Sequence, residues 1–135
     1  MIGLLLKSNS EGPNMLHKNI LIVEDEYITA LDIKTQLLSV GNYRFEIAGT
    51  GEEAVWKALE NPIDLVLMDI KLKGEMDGIE AAQKIKKKRN IPLIYISGNL
   101  DTLDPKRLER TKPERILRKP ISEQKLRNVV TEVLR

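Results

Sequence analysis

The chain has 135 residues, 41% hydrophobic and 31% charged, which is enough for one compact domain with a core but not for two. Twenty-two basic and twenty acidic residues leave a net charge of +2, so no overall field commits the protein to nucleic acid or to an anionic membrane. Zero cysteines exclude a disulfide framework, a thiolate zinc site and a cysteine nucleophile, and a reducing, cytoplasmic setting is the expectation.

The first apolar run, IGLLL at 2–6, is too short to span a bilayer, and it lacks both a basic leader and a small-residue cleavage site. Residues 1–17 read as a flexible N-terminal tail with Met15 as a candidate start, and the folded domain is expected over 18–135. ILIV (20–23) is a first strand, followed by a helical pattern over 26–39. FEIA (45–48) is a second strand. TGEE (50–53) then forms a capping box, in which Thr50 accepts from first-turn amides and Glu53 reaches back, and it opens a helix over 52–60. DLVLM (64–68) is a third strand, followed by a helix over 78–89; PLIYI (92–96) is a fourth, followed by a short helical pattern over 105–111 that Asp104 caps before Pro105. RILR (115–118) is a fifth strand. Ser122 caps a final helix over 123–134, with Leu126, Val129, Val130, Val133 and Leu134 on one stripe.

Strand and helix alternate with short connections, which implies right-handed βαβ units: an α/β fold with a parallel sheet covered on both faces by helices. AGTGEEA lacks the third glycine of a dinucleotide loop and reads as a turn into a helix. Ligands of such sheets bind outside the carboxyl ends of the strands. Glu24 and Asp25 follow the first strand, Asp69 the third, Ser97 the fourth and Lys119 the fifth, so parallel strands bring all of them to one edge. Carboxylates gathered there repel one another unless a positive partner joins them. A hard divalent cation such as Mg2+ suits their oxygens, and Lys119 with the Ser97 hydroxyl suits a phosphoryl group on Asp69.

LIVEDE, LVLMDIKLKGEMDGIEA, PLIYISG and RKPI, in that order over about residues 18–135, resemble the receiver domains of two-component response regulators. The resemblance implies a doubly wound, CheY-like sheet of order 2-1-3-4-5 with five helices. It implies that Asp69 accepts a phosphoryl group from a histidine kinase or a histidine phosphotransfer protein. Asp25 and Asp69 would ligate Mg2+ directly, Glu24 through a water, and Lys71 by its backbone carbonyl; Ser97 and Lys119 would hold the phosphoryl oxygens. The Lys119–Pro120 bond is expected to be cis, Lys71 and Asn99 to flank the path of hydrolytic water, and Gly78 to serve the turn after Asp69. Output is expected through the fourth helix, fifth strand and fifth helix, toward a protein effector or a second copy of the domain. Basic residues such as Arg107 and Arg110 mark that face; nucleic acid and membranes are not among the expected partners.

Departures from the family pattern are Ile116, where an aromatic ring usually stands three residues before the lysine, and Lys73, where proline is frequent, in a loop one residue longer than usual. An aspartate-nucleophile phosphohydrolase needs a second aspartate two residues after Asp69, and Lys71 stands there. A pseudo-receiver acting as a constitutive binding module is the alternative, on the strength of Ile116. The basic run KIKKKRN (84–90) reads as a solvated helix end, Glu26 as a first-turn acid favoured by the helix dipole, and Tyr27 and Trp56 as packing residues. His17, the only histidine, can build neither a metal site nor a catalytic pair. No output domain follows the last helix in this sequence, so a free-standing receiver or a piece of a larger kinase or regulator is expected.

Overall fold

The computed structural model describes residues 17–135; positions 1–16 of the expected tail, Met15 among them, lie outside the described residues. The elements run β1 (Lys18–Val23), α1 (Tyr27–Leu37), β2 (Tyr43–Ala48), α2 (Gly51–Glu60), β3 (Leu65–Asp69), α3 (Gly78–Lys88), β4 (Leu93–Ser97), α4 (Pro105–Glu109), β5 (Arg115–Arg118) and α5 (Glu123–Leu134). A single 3-10 turn, Leu100–Thr102, stands before α4. All five strands pair in parallel in the order β2-β1-β3-β4-β5, as the resemblance implied.

The central strands are continuous apolar runs because both of their faces are covered. On one face Ile20, Ile22, Leu65, Leu67, Ile94 and Ile96 pack with Ala30 and Ile33 of α1 and Leu126 and Val130 of α5. On the other, Leu21, Val23, Val66, Met68, Leu93 and Tyr95 pack with alanines of α2 and α3 and with Leu108 of α4. Each fully buried branched side chain contributes about 1.5–3 kcal/mol. β2 and β5 are the sheet edges, and only Leu117 of β5 is buried.

Asp77, Asp104 and Ser122 each cap the following helix through a side-chain oxygen. At α2, Thr50 Oγ1 accepts from the Glu53 N–H (3.1 Å), but Glu53 Oε1 accepts from the Gly49 N–H (2.8 Å) and not from Thr50, so the reciprocal half of the box is displaced by one residue. Glu26 is the N-cap residue of α1, makes no side-chain cap bond and is not a first-turn acid.

Tyr27 and Trp56, expected to pack, are 62% and 61% exposed. Trp56 lies two residues from both buried alanines of α2, Ala54 and Ala58, and so points to the opposite side; Tyr27 begins its helix, a turn before the first buried position, Ala30.

Candidate functional site

The chain leaves β1 to build β2 on one side and β3 on the other, so the carboxyl ends of β1 and β3 flank the point where strand order reverses. Glu24 and Asp25 follow β1 there, and Asp69 closes β3. Carboxylate oxygens of these three residues lie within 4.8 Å of one another. Glu24, Asp69 and Ser97 are buried, although polar side chains at strand ends are ordinarily solvated. Their partners account for the burial. Lys119 Nζ donates to Asp69 Oδ2 at 3.1 Å and to Glu24 Oε1 at 3.3 Å. The Glu26 N–H donates to Glu24 Oε2 (3.2 Å), and the Lys71 N–H to Asp69 Oδ1 (3.3 Å).

The Lys119 N–H donates to the Ser97 carbonyl at 2.8 Å, which ties the start of the loop after β5 to the end of β4; the Lys119–Pro120 peptide is cis, as expected. The Ser97 hydroxyl accepts from the Asn99 N–H at 3.2 Å, which leaves its O–H as a donor toward the cavity. Glu24, Asp25, Asp69, Ser97 and Lys119 share a cavity of about 640 Å³, with exposed Lys71 and Asn99 also on its wall. The expected site residues therefore come together in one place.

Burial pushes the Glu24 carboxyl up to about 7; the Glu26 amide opposes this, and the charge of Asp69 reinforces it. Burial pulls the Lys119 ammonium down, but the charges of Asp69 and Glu24 outweigh it and leave Lys119 above its ordinary value. Among the described residues, Lys119 is the one ammonium in ion-pair contact with the Glu24, Asp25 and Asp69 cluster, which leaves the cluster short of positive charge. Oxygen-only donors at this spacing fit a hard divalent cation.

Two further features carry no sequence motif, one on the cavity rim and one buried between β4 and β5. Asp77, the residue before Gly78, lines the cavity and takes both guanidinium nitrogens of Arg107, at 2.9 and 3.0 Å. Burial pushes the Asp77 carboxyl up, but Arg107 and the Glu80 amide hold it below its usual range. Arg107 is thus tied to the loop after β3 and is not a free member of a basic face, while Arg115 and Arg118 pair with Glu132 and Asp101. The second feature is Tyr95, the neighbour of Ile116 across the β4–β5 register, whose buried hydroxyl lies 2.7 Å from Thr111 Oγ1.

Gly78 brings α3 against the site. Its N–H donates to the Ile70 carbonyl at 2.7 Å, and a Cβ there would lie 2.1 Å from the Asp69 carbonyl oxygen. Only glycine permits that approach.

The sequence profile of the response regulator receiver domain matches residues 20–131. Response regulator ArlR of Staphylococcus haemolyticus is 35% identical over 86 residues, a stretch covering 64% of this chain but 38% of that protein. Among solved structures, a CheY-like response regulator receiver domain protein of Methanospirillum hungatei superposes with a TM-score of 0.80 at 30% identity, covering 87% of this chain and 93% of that one. The receiver domain of a sensor histidine kinase from Pseudomonas aeruginosa, determined with a magnesium ion coordinated in its active site cleft, superposes with a TM-score of 0.77 at 26% identity, covering 87% and 98%. Among the described residues, no helix is long and apolar enough to cross a membrane.

Proposed function

Because the chain belongs to the response regulator receiver domain family, we propose that it is a working phosphoacceptor, taking a phosphoryl group onto Asp69 from the phosphohistidine of a histidine kinase or histidine phosphotransfer protein. The observation that carries the reading is the position of Asp69: it ends β3 at the switch point, beside Glu24 and Asp25, with Lys119 Nζ 3.1 Å from its carboxylate. In the transfer, an Asp69 oxygen forms a bond to phosphorus as the phosphorus–nitrogen bond of the donor breaks, and the imidazole leaves with the electron pair. Such transfers depend on positioning and charge neutralisation more than on covalent machinery. Lys119 would neutralise one phosphoryl oxygen, and the Ser97 O–H would donate to another.

Asp25, Asp69, Glu24 by way of a water, and the Lys71 carbonyl would hold Mg2+, which when bound supplies positive charge to the equatorial oxygens. The reading makes this a signalling domain that catalyses only its own phosphotransfer and autodephosphorylation. It implies a cytoplasmic setting, in reach of the kinase, and an effector or second copy that reads the α4–β5–α5 face.

Incubation with acetyl phosphate and Mg2+, followed by intact-mass spectrometry, tests the proposal. A gain of about 80 Da is expected for the native chain and not for Asp69→Asn or in the presence of a chelator. No adduct and no released phosphate under any condition would favour a constitutive binding module instead.

A further inference from the structure

The loop between β3 and α3 touches the acidic cluster at a point that no side-chain motif marks. Its start is tied by the Lys71 N–H to Asp69, and its end by the Gly78 N–H to the Ile70 carbonyl. Midway, the Lys73 backbone N–H donates to Asp25 Oδ2 at 3.1 Å, joining residues 48 positions apart. This is the sole hydrogen bond or ion pair on the Asp25 carboxylate among the described residues, whereas Glu24 and Asp69 each also hold Lys119. Without it, Asp25 would be a half-buried carboxylate within reach of two others, with repulsion driving it toward solvent.

We infer that the Lys73 backbone amide is a positioning group for Asp25, and that by restraining one carboxylate oxygen it raises the affinity of the Glu24–Asp25–Asp69 cluster for a divalent cation. The inference rests on the proposed function, which makes that cluster a cation site. An amide dipole directed at the carboxylate offsets part of the repulsion within the cluster and limits the side-chain freedom that cation binding must otherwise freeze. Hydrogen-bond partners of ligating carboxylates commonly govern metal affinity in this way. The requirement falls on the backbone, so any residue but proline meets it. Proline, the residue the family pattern leads one to expect at this position, has no N–H to give.

The test is calorimetric titration of Mg2+ into the native chain, Lys73→Pro and the conservative Lys73→Ala, which keeps the N–H. Lys73→Pro is expected to weaken Mg2+ binding about tenfold or more, and Lys73→Ala to stay within about twofold of native. A folded Lys73→Pro with native affinity overturns the inference, as does an alanine variant that loses as much as proline. Amide hydrogen exchange in the metal-free chain decides the matter without the proline variant, should that variant fail to fold. Protection of the Lys73 N–H that Asp25→Ala abolishes supports the inference, and exchange at the unprotected rate in the native chain overturns it. A native chain that binds no Mg2+ sinks the cation site and this inference together; native binding that is indifferent to proline sinks this inference alone.

Discussion

Replacing Gly78 by alanine sets two known effects against each other. Alanine is the better helix former, by up to about 1 kcal/mol within a helix and less in its first turn. Against that gain, the new Cβ would lie 2.1 Å from the Asp69 carbonyl oxygen, 2.9 Å from Ile70 Cα and 2.9 Å from Met68 Cγ. Met68 can turn its side chain aside, but the other two atoms are backbone. Restoring ordinary contact requires α3 to retreat from the end of β3 by about 1 Å, and the Gly78–Ile70 hydrogen bond stretches with it. Overpacking alone costs about 1–3 kcal/mol, and a strained loop bond adds to it, so Gly78→Ala should lose about 2–4 kcal/mol net. Urea unfolding followed by far-ultraviolet circular dichroism checks this. With a denaturant slope of about 1–3 kcal/mol per molar, the midpoint should fall by about 1–2 M at unchanged slope. An alanine variant as stable as the native chain would refute the close approach on which the site's geometry depends.

Glu24 predicts a pH dependence. Its carboxyl is raised from 4.5 to about 7 in the folded chain, so between those values the native state keeps a proton that the unfolded state has lost. The stability this provides is complete below about pH 4.5 and drains away as pH rises through about 7, by at most about 1.4 kcal/mol per unit. In chelator, the urea midpoint of the native chain should therefore fall from pH 5 to pH 8 relative to Glu24→Gln; parallel profiles would contradict the raised value. The Arg107–Asp77 pair should show a coupling of about 1 kcal/mol in a double-mutant cycle of Arg107→Gln and Asp77→Asn, at the top of the usual range for exposed pairs because it is bidentate and half-buried. Asparagine can still cap α3, so a coupling of zero would mean that the guanidinium does not hold the loop.

The alternation of elements was legible because the buried strands are unbroken apolar runs and the helices carry stripes, and four polar clusters at strand ends pointed to one edge. Edge strands were less legible: β2 begins at Tyr43 and not at residue 45, because Tyr43 and the exposed Arg44 lack the signature of a strand covered on both faces. The exposure of Trp56 depended on which face of α2 the alanines would occupy, and two small residues are a faint signal. Arg107 read as part of a basic surface because its partner, Asp77, stands 30 positions away in a turn. The Lys73 contact could not be read at all, since it belongs to a backbone N–H that every residue except proline possesses.

Phosphorylation of Asp69 is the center of the account, and chemical trapping tests it most directly. Borohydride reduces an acyl phosphate to the alcohol, which for aspartate leaves homoserine, so peptide mass spectrometry after phosphorylation and reduction identifies the residue that carried the group. The account predicts homoserine at position 69, dependent on Mg2+ and lost with a chelator. Homoserine at position 25, or at no position while the native fold and Mg2+ are both present, would contradict it.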